Sequence, residues 1–392
     1  MFGEYRISDA LRLRTSISGD LSFMRDDQFK SPITSDAETV GGEAFEGNYR
    51  GVTWLNENTL TYTKSFGDHG ITVLAGVTEQ ETTSDRSSAT GQGFPVGSFE
   101  RVSSAANIVS AVSQGSSFAI VSFLGRVNYD FKNRYLLTAT VRSDGSSRFS
   151  KDKRFGVFPS FSFAWRVSSE PFFESVPGFS DLKWRISYGI TGDQEIGDFQ
   201  NVTFYEPGRY NGGAGIKLRN IADPDLTWQE NSTFNTGFDY ELFEGKFNGS
   251  FDFFIGNKKG ILSAAVVPGT TGFATVTRNG GEIRNTGFEF NINAFVLNRQ
   301  NFRWQTGFNI SYLKNEVTAL TNDNTLISSY SDLAPTHILK VGEPVASFWG
   351  VKYLGVDSET GESMFEDLNQ DGLIDSDDSQ IIGKGLPDFW GG

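Results

Sequence analysis

The sequence predicts an all-β fold, an antiparallel transmembrane β-barrel, because its strand-length segments alternate strictly and their connections alternate in length. In residues 302–312, Phe, Trp, Phe, Ile and Tyr alternate with Arg, Gln, Gly, Asn and Ser. A β-strand turns successive side chains to opposite faces, so this segment has one apolar and one polar face. A sheet between lipid and water needs that division and also needs aromatic residues at its strand ends.

The same alternation predicts about a dozen strands. Each is long enough for the ~9–11 residues that a tilted strand needs to cross the hydrocarbon. The clearest segments are residues 11–23, 54–66, 71–80, 118–131, 135–141, 155–167, 182–190, 232–242, 247–254, 288–296 and 302–312. Polar stretches at residues 31–48, 84–115 and 208–215 are predicted to be loops.

The connections between these strands are alternately short and long. Short turns are predicted near Gly67, Asn133, Glu244 and Asn298, and long connections after Gln80, Arg142, Ile190, Ile261 and Tyr312. Outer-membrane barrels have short periplasmic turns and long extracellular loops. We therefore expect residues 1–320 to form barrel strands with long extracellular loops. Residues 321–392 are expected to form an extracellular loop region that leads to further C-terminal strands.

Composition excludes several other classes of protein. The 392 residues are 14% aromatic with a mean hydropathy of −0.31, and no apolar run reaches the ~18 residues of a membrane helix. A net charge of −14 argues against a nucleic-acid partner. With no cysteine there are no disulfides, thiolate metal sites or Cys nucleophiles. The start carries no signal peptide, so we expect the true N-terminus to lie upstream.

Several segments resemble the SusC/RagA family of TonB-dependent outer-membrane transporters. The resemblance rests on five segments that occur in the family's order. The first is Tyr135 to Phe149, with Arg142-Ser143-Asp144-Gly145-Ser146-Ser147-Arg148-Phe149, and the second is Gly156-Val157-Phe158-Pro159-Ser160 with Ala164-Trp165-Arg166. The third is Leu182 to Gln194, the fourth is Asn279 to Glu289, and the fifth runs from Val341-Gly342-Glu343-Pro344 through Phe348-Trp349-Gly350 to Gly383-Lys384-Gly385-Leu386-Pro387.

The resemblance implies a barrel of 22 strands in the outer membrane of a Gram-negative bacterium, of which this chain would hold about half. It implies import of oligosaccharides or peptides, with a SusD-like surface lipoprotein and with the TonB complex as partners, the latter through an N-terminal region outside this sequence. It implies no enzymatic activity. The alternative is a non-transporting surface adhesin or glycan-binding β-protein with a structural calcium loop.

An acidic segment in residues 367–378 has the spacing of a calcium-binding loop. Oxygen side chains stand at positions 1, 3, 5, 9 and 12, and Gly372 stands at position 6, where the chain turns sharply. Aspartate replaces the usual glutamate at position 12. We expect a structural Ca²⁺ ion, bound by Asp367, Asn369, Asp371, Leu373 through its carbonyl, Asp375 and Asp378.

No spacing identifies catalytic residues, and the two histidines, His69 and His337, lie in a turn and a loop. Aromatic faces beside polar groups suit the capture of sugars or peptides, so four aromatic residues in or beside long loops are candidate substrate contacts: Tyr205, Tyr210, Trp228 and Tyr330. An interfacial or packing role explains each of them equally well. The polar strand faces carry Arg126, Arg142, Arg166 and Arg185, which would point into the lumen.

Overall fold

The computed structural model describes residues 1–95, 99–211, 213–321, 325–327 and 336–392. Within these ranges it contains five short 3₁₀ helices, Glu38–Val40, Val102–Ser104, Val167–Ser169, Gly269–Thr271 and Ser376–Asp378. The strands in the same ranges are β1 Phe2–Arg6, β2 Leu11–Lys30, β3 Glu43–Phe66, β4 His69–Gln92, β5 Asn107–Phe131, β6 Tyr135–Ser146, β7 Phe155–Arg166, β8 Phe179–Asp193, β9 Tyr205–Tyr210, β10 Gly213–Leu218, β11 Gln229–Leu242, β12 Phe247–Lys259, β13 Leu262–Val266, β14 Thr275–Asn279, β15 Glu282–Arg299, β16 Phe302–Ala319, β17 Thr325–Ile327, β18 His337–Leu339, β19 Ser347–Val351, β20 Tyr353–Val356, β21 Ser363–Phe365, β22 Ser379–Gly383 and β23 Phe389–Gly391.

One antiparallel sheet of thirteen strands dominates the fold. Its order is β1-β2-β3-β4-β5-β6-β7-β8-β11-β12-β15-β16-β23, so each strand pairs with the next one of the sheet along the chain. The remaining strands form four small sheets inside the connections: β9 with β10, β13 with β14, β17-β18-β19-β22, and β20 with β21. This up-and-down order is that of a barrel wall.

The two edges of the large sheet carry connections of different length. At one edge, the turn edge, β3 joins β4 and β5 joins β6 through tight turns in which Gly67, Lys132 and Asn133 adopt positive φ. At the other, the loop edge, the chain makes excursions of up to 69 residues, the longest lying between β16 and β23. Short and long connections alternate as predicted in the described residues, except that the turn-edge connection β7–β8, residues 167–178, is longer than the loop-edge connection β6–β7, residues 147–154.

The longest strands extend well past the predicted segments. Residues 84–115, predicted to be a loop, belong largely to β4 and β5, and β3 begins at Glu43 inside the predicted loop 31–48. The predicted loop 208–215 is likewise part of the β9–β10 hairpin. Loops do lie within residues 31–42 and 93–106, but the predicted bounds were too wide, because strand pairing continues beyond the hydrocarbon, where small polar residues pair as well as apolar ones.

The strand register places the side chains of the wall on two faces. On the aromatic face, Phe288 stands between Phe253 and Tyr312 of the neighbouring strands, with ring centroids 5.6 Å from Tyr312. Near the turn edge of the same face, a continuous row of rings has centroids 4.8 to 6.4 Å apart: Phe66, His69, Phe131, Tyr135 and Trp165. Such a row marks a membrane boundary. The opposite, polar face carries mainly Ser, Thr, Asn and charged residues.

Residues 320–388 lie between β16 and β23 and include the acidic segment. The chain then returns to the wall, where Phe389 pairs with Tyr312 and Gly391 with Ile310. No helix in the described residues is long and apolar enough to cross a membrane.

Candidate ligand-binding site at the loop edge

A small buried core holds the loop-edge connections together. Phe149 and Leu226 are fully buried, and Trp228 packs on Phe149 and Phe158 with ring centroids 5.1 and 5.4 Å away. The indole N–H of Trp228 donates to the carbonyl oxygen of Arg154 at 3.0 Å. Ile196 of the β8–β9 connection, residues 194–204, packs against this core, so that connection and the segment 219–228 are both held against the wall.

Arg148 ties the β8–β9 connection to the wall. Its Nε lies 2.8 Å from an oxygen of Asp198, its Nη1 donates to the carbonyl of Gln194, and its guanidinium lies 4.3 Å above the ring of Phe118. The hydroxyl of Ser116, on β5, also donates to Asp198. Because both charged side chains are mostly buried, this pair contributes more than an exposed ion pair would.

Beside this ion pair lies a half-open cavity of about 610 Å³, the loop-edge cavity. Its wall side comes from β3, β4 and β5, and its other side from the connection before β9 and the residue after β10. The lining residues are Tyr49, Ser84, Arg86, Gln114, Gly115, Ser116, Gly197, Asp198, Phe199, Gln200, Val202, Phe204 and Arg219. Aromatic rings, amides and two arginines thus share one space of the size that small ligands occupy.

One residue of the cavity has a strained backbone. Phe199 adopts a φ of 63°, in the left-handed region that a bulky side chain rarely enters, at a cost of about 1–2 kcal/mol. Its ring is 41% exposed and meets Phe204 edge-on, with centroids 6.2 Å apart. Strain at non-glycine residues concentrates at ligand-binding positions.

The four predicted aromatic contacts have different surroundings. Tyr205 and Tyr210 lie on the β9–β10 hairpin, which projects from the cavity rim, and they are 61% and 87% exposed. Trp228 is only 6% exposed, and its ring is covered by the loop core. The prediction that Trp228 contacts a ligand is therefore wrong for this structure. Tyr330 lies outside the described residues. Substrate contact by Tyr205 and Tyr210 stays a prediction.

The predicted lumenal arginines lie on the polar face of the wall. Arg185 binds Asp239 at 2.8 Å and Asp252 at 3.1 Å. Arg142 pairs with Asp144 at 2.6 Å. Of the other two, Arg126 donates to Thr140 and Arg166 lies 3.9 Å from Asp181. The Arg142–Asp144 pair lies within β6, and Arg142 also donates to Ser122 on β5. The contacts of Arg126, Arg166 and Arg185 join different strands and indicate a bracing role.

The acidic segment is closed by its own hydrogen bonds. Asp367 accepts from the N–H groups of Asp371 and Gly372, and Asp371 accepts from that of Leu373. Asp378 is fully buried, with one carboxylate oxygen accepting from Leu368 and the other from Asp375.

These hydrogen bonds affect the pKa of Asp378. The N–H of Asp375 holds the pKa of Asp378 below its usual value, against burial, which raises it. Among the described residues no group of three or more His, Asp or Glu side chains could hold a metal ion. Calcium binding by Asp367, Asn369, Asp371, Leu373, Asp375 and Asp378 therefore stays a prediction.

The side chains of the two histidines make packing and hydrogen-bond contacts within the protein. His69 shares a hydrogen bond of 2.7 Å with the hydroxyl of Tyr129 and stacks on Phe66 within the aromatic row. The ring of His337 lies 5.1 Å from that of Phe348 and its Nδ1 lies 2.9 Å from the hydroxyl of Thr336. Neither histidine faces the loop-edge cavity.

Sequence reasoning missed the residues that define the loop-edge cavity. Arg86 and Gln114 fell in a segment predicted to be a loop, and Asp198 and Phe199 fell in a connection without a recognisable pattern. A signal was present for Arg86, because residues 84–92 continue the alternation of β4 with Ser, Arg, Ser, Thr and Gln on its polar side.

Comparison with known proteins identifies the class to which this wall and its loops belong. The family model described as TonB dependent receptor-like, beta-barrel, matches residues 3–381. The chain therefore belongs to the β-barrel family of TonB-dependent receptors. Proteins of this family lie in the outer membrane of Gram-negative bacteria, so the aromatic face contacts lipid and the polar face lines the lumen.

Curated relatives and a solved structure agree with the resemblance to the SusC/RagA branch. TonB-dependent receptor P3 of Formosa agariphila is 32% identical over 99% of this chain and 41% of its own length. TonB-dependent receptor SusC of Bacteroides thetaiotaomicron is 33% identical over 95% of this chain and 39% of its own length. A structure of the RagAB peptide transporter matches with a TM-score of 0.87 at 24% identity, over 100% of this chain and 44% of that one. The chain spans about two fifths of the length of the curated relatives it matches.

Proposed function

We propose that the chain forms part of the barrel of a TonB-dependent importer that carries oligosaccharides or peptides across the outer membrane. The observation that carries this proposal is the loop-edge cavity: a half-open space of about 610 Å³, lined by aromatic rings, amides and arginines, at the loop end of a polar-lined barrel wall. A ligand held there stands at the mouth of the lumen.

The proposal includes two partners. A surface lipoprotein of the SusD type would cover the loop edge and deliver the ligand, and the TonB complex would supply energy from the inner membrane. The exposed β9–β10 hairpin, with Tyr210 at 87% exposure, gives such a lipoprotein an apolar contact above the cavity. SusC and RagAB, to which this chain is similar, support the pairing.

Uptake by the organism that encodes the chain tests the proposal. Cells carrying the gene and cells deleted for it are given fluorescent oligosaccharide and peptide pools, with and without a protonophore that removes the energy supply. We expect one pool to enter only energised cells that carry the gene. Equal uptake of all pools by the deletion strain would contradict import.

The alternative of a surface adhesin makes a different prediction in the same cells. An adhesin would retain a glycan on the cell surface whether or not the inner membrane is energised. External protease or glycosidase then releases the label completely, whereas imported label is protected. If the cells retain the label but external enzymes release all of it, the adhesin is supported and the importer is contradicted.

A further inference from the structure

The strongest unassigned feature of the loop-edge cavity is a free arginine. Arg86 stands on β4 with its side chain on the polar face, and its cross-strand neighbours are Tyr49 on β3 and Gln114 on β5. The ring of Tyr49 is held over Gly51, where a Cβ would come within 2.8 Å of the Tyr49 hydroxyl. Tyr49, Arg86 and Gln114 thus form a row at one height across three strands.

Arg86 differs from two other arginines at the loop edge. Arg142 and Arg148 each bind a carboxylate at 2.6 and 2.8 Å. Within the part of the chain that the structure describes, Arg86 makes no ion pair, hydrogen bond or cation–π contact. Asp26 lines the adjoining hollow together with Arg86; its carboxylate accepts from the neutral amide of Gln28 and makes no hydrogen bond or ion pair with Arg86. The guanidinium of Arg86 is therefore available to a ligand.

A second cation adds to the positive charge of the cavity. Arg219 lies 5.0 Å from the ring centre of Phe204 and shares Glu206 with Lys217, at 3.8 and 3.0 Å. Two cations around one carboxylate leave an excess positive charge. Asp198, the acid in the cavity lining, is neutralised by Arg148. The cavity lining thus holds two arginines and one aspartate, a positive balance in a chain whose net charge is −14.

The geometry points to a binding subsite for a carboxylate group of the imported solute, with Arg86 as its anchor. A guanidinium offers two parallel N–H donors that match the two oxygens of a carboxylate. Gln114 can donate beside it, and Tyr49, Phe199 and Phe204 supply rings for the apolar part of the solute. This inference rests on the proposed function and narrows the solute to an acidic oligosaccharide or an acidic peptide.

Binding by the full-length protein in detergent tests the subsite, and two probe pairs distinguish the two sources of carboxylate. One pair is tetragalacturonate with neutral galactotetraose, and the other is tetraglutamate with tetraglutamine. Calorimetry gives the affinity ratio within each pair. We expect the natural protein to prefer the carboxylate member of one pair about tenfold or more, the size expected of a charge-assisted hydrogen bond.

Two single substitutions isolate the contribution of Arg86. Arg86→Gln should lose about tenfold of the preference for the carboxylate probe. Arg50→Gln should keep it, because Arg50 follows Tyr49 on β3 at the same height and its side chain lies on the opposite, outer face of the wall. Equal preference in both variants, or none in the natural protein, would overturn the subsite. A destabilised Arg86→Gln protein with unchanged preference would show that Arg86 instead pairs within the full-length protein.

These measurements need no energised membrane, so failure of the subsite and failure of the import proposal are separate results. If the carboxylate preference depends on Arg86 but the cells show no energy-dependent uptake, the subsite is supported and the import proposal is contradicted. If uptake depends on energy but the protein shows no carboxylate preference, the import proposal is supported and the subsite is contradicted.

Discussion

The ring of Phe158 fills the space above Gly192: a Cβ on that glycine would lie 2.1 Å from Cζ of the ring. Gly156 makes room for the same ring, since its Cβ would come within 2.4 Å of Cζ. Phe158 in turn packs edge-on against Trp228 in the loop core. Glycines on β7 and β8 therefore leave room for the aromatic side chain on which Trp228, and with it the segment 219–228, is packed.

We expect Gly192→Ala to destabilise the loop core by about 1–3 kcal/mol, because the added methyl group must displace Phe158 in a packed site. Gly269→Ala is the matched control, since nothing lies within 4 Å of its Cβ position. Urea unfolding of the full-length protein in detergent, followed by tryptophan fluorescence, gives both free energies of unfolding. Equal midpoints would show that Phe158 moves without cost.

Arg148 and Asp198 should be energetically coupled. A double-mutant cycle with Arg148→Ala and Asp198→Asn is expected to give about 1–2 kcal/mol, because the two side chains are only 15% and 19% exposed. The exposed pair Lys132 and Asp68, 3.5 Å apart, should give less than about 0.5 kcal/mol in the same assay. Similar values for the two pairs would mean that burial adds nothing at Asp198.

Breaking the Arg148 pair should also free the β8–β9 connection. Limited trypsin digestion should cut the Arg148→Ala protein at Lys217 and Arg219 several-fold faster than the natural protein, because local opening precedes cleavage. A Lys132→Ala protein should be cut at the natural rate. An unchanged rate in Arg148→Ala would show that the loop core alone holds this connection.

Arg185 balances two carboxylates in the lumen wall, so its loss should matter more than that of a neighbouring cation. Arg185→Met should destabilise the protein by about 2–3 kcal/mol, because Asp252 loses its ion pair and Asp239 keeps only Lys183. Lys183→Met should cost less, since Asp239 still binds Arg185. Thermal unfolding measured by circular dichroism decides the order, and a reversed order contradicts it.

The acidic segment should lose stability in acid. The pKa of Asp378 is held below 3.8 in the folded protein, chiefly by the N–H of Asp375, so the carboxylate binds fewer protons folded than unfolded. Its contribution is present above pH 3.8 and is lost as the pH falls through the lower, folded pKa. Hydrogen exchange in residues 366–379, corrected for intrinsic rates, should keep its protection at pH 5 and lose it at the lowest pH values. Asp378→Asn should abolish this transition.

The calcium prediction needs its own titration. From the spacing alone we expect weak binding, with a Kd of about 10⁻⁴–10⁻³ M, the range of extracellular modules. Both carboxylate oxygens of Asp378 already accept N–H donors, which limits their use as ligands. Calorimetric titration of the full-length protein with Ca²⁺ measures this Kd, with the Asp371→Ala protein as the control. The absence of a heat of binding at about 10 mM Ca²⁺ would contradict the prediction of a bound calcium ion.

The wall of the barrel was readable from the sequence because lipid on one side and water on the other impose a period of two on every crossing strand. Phe302 to Tyr312 is the clearest instance. The period fades where a strand leaves the membrane, since neither face then requires apolar side chains. The outer halves of β4 and β5, with Ser87, Ser88, Ser110 and Ser113, therefore had the composition of a loop.

The loop-edge cavity could not be derived from the sequence for a different reason. Arg86 and Phe199 are 113 positions apart, and they meet only because Arg148, Asp198 and Trp228 fold one connection back onto the wall. Contacts of that separation carry no local pattern. Burial of Trp228 was equally hidden, since the sequence shows an aromatic residue beside a loop but not the core that covers it.

The length of β4 determines the electrostatic setting of Arg86. At about 3.3 Å per residue and a tilt near 40°, Arg86 stands roughly 40 Å above His69 at the turn edge, and so about 15 Å beyond an apolar band ~25 Å tall. That is about two Debye lengths at physiological salt, so charges of the lipid headgroups are largely screened at this height. The field around the guanidinium is therefore set by the protein, and the membrane surface would neither repel nor concentrate an acidic solute there.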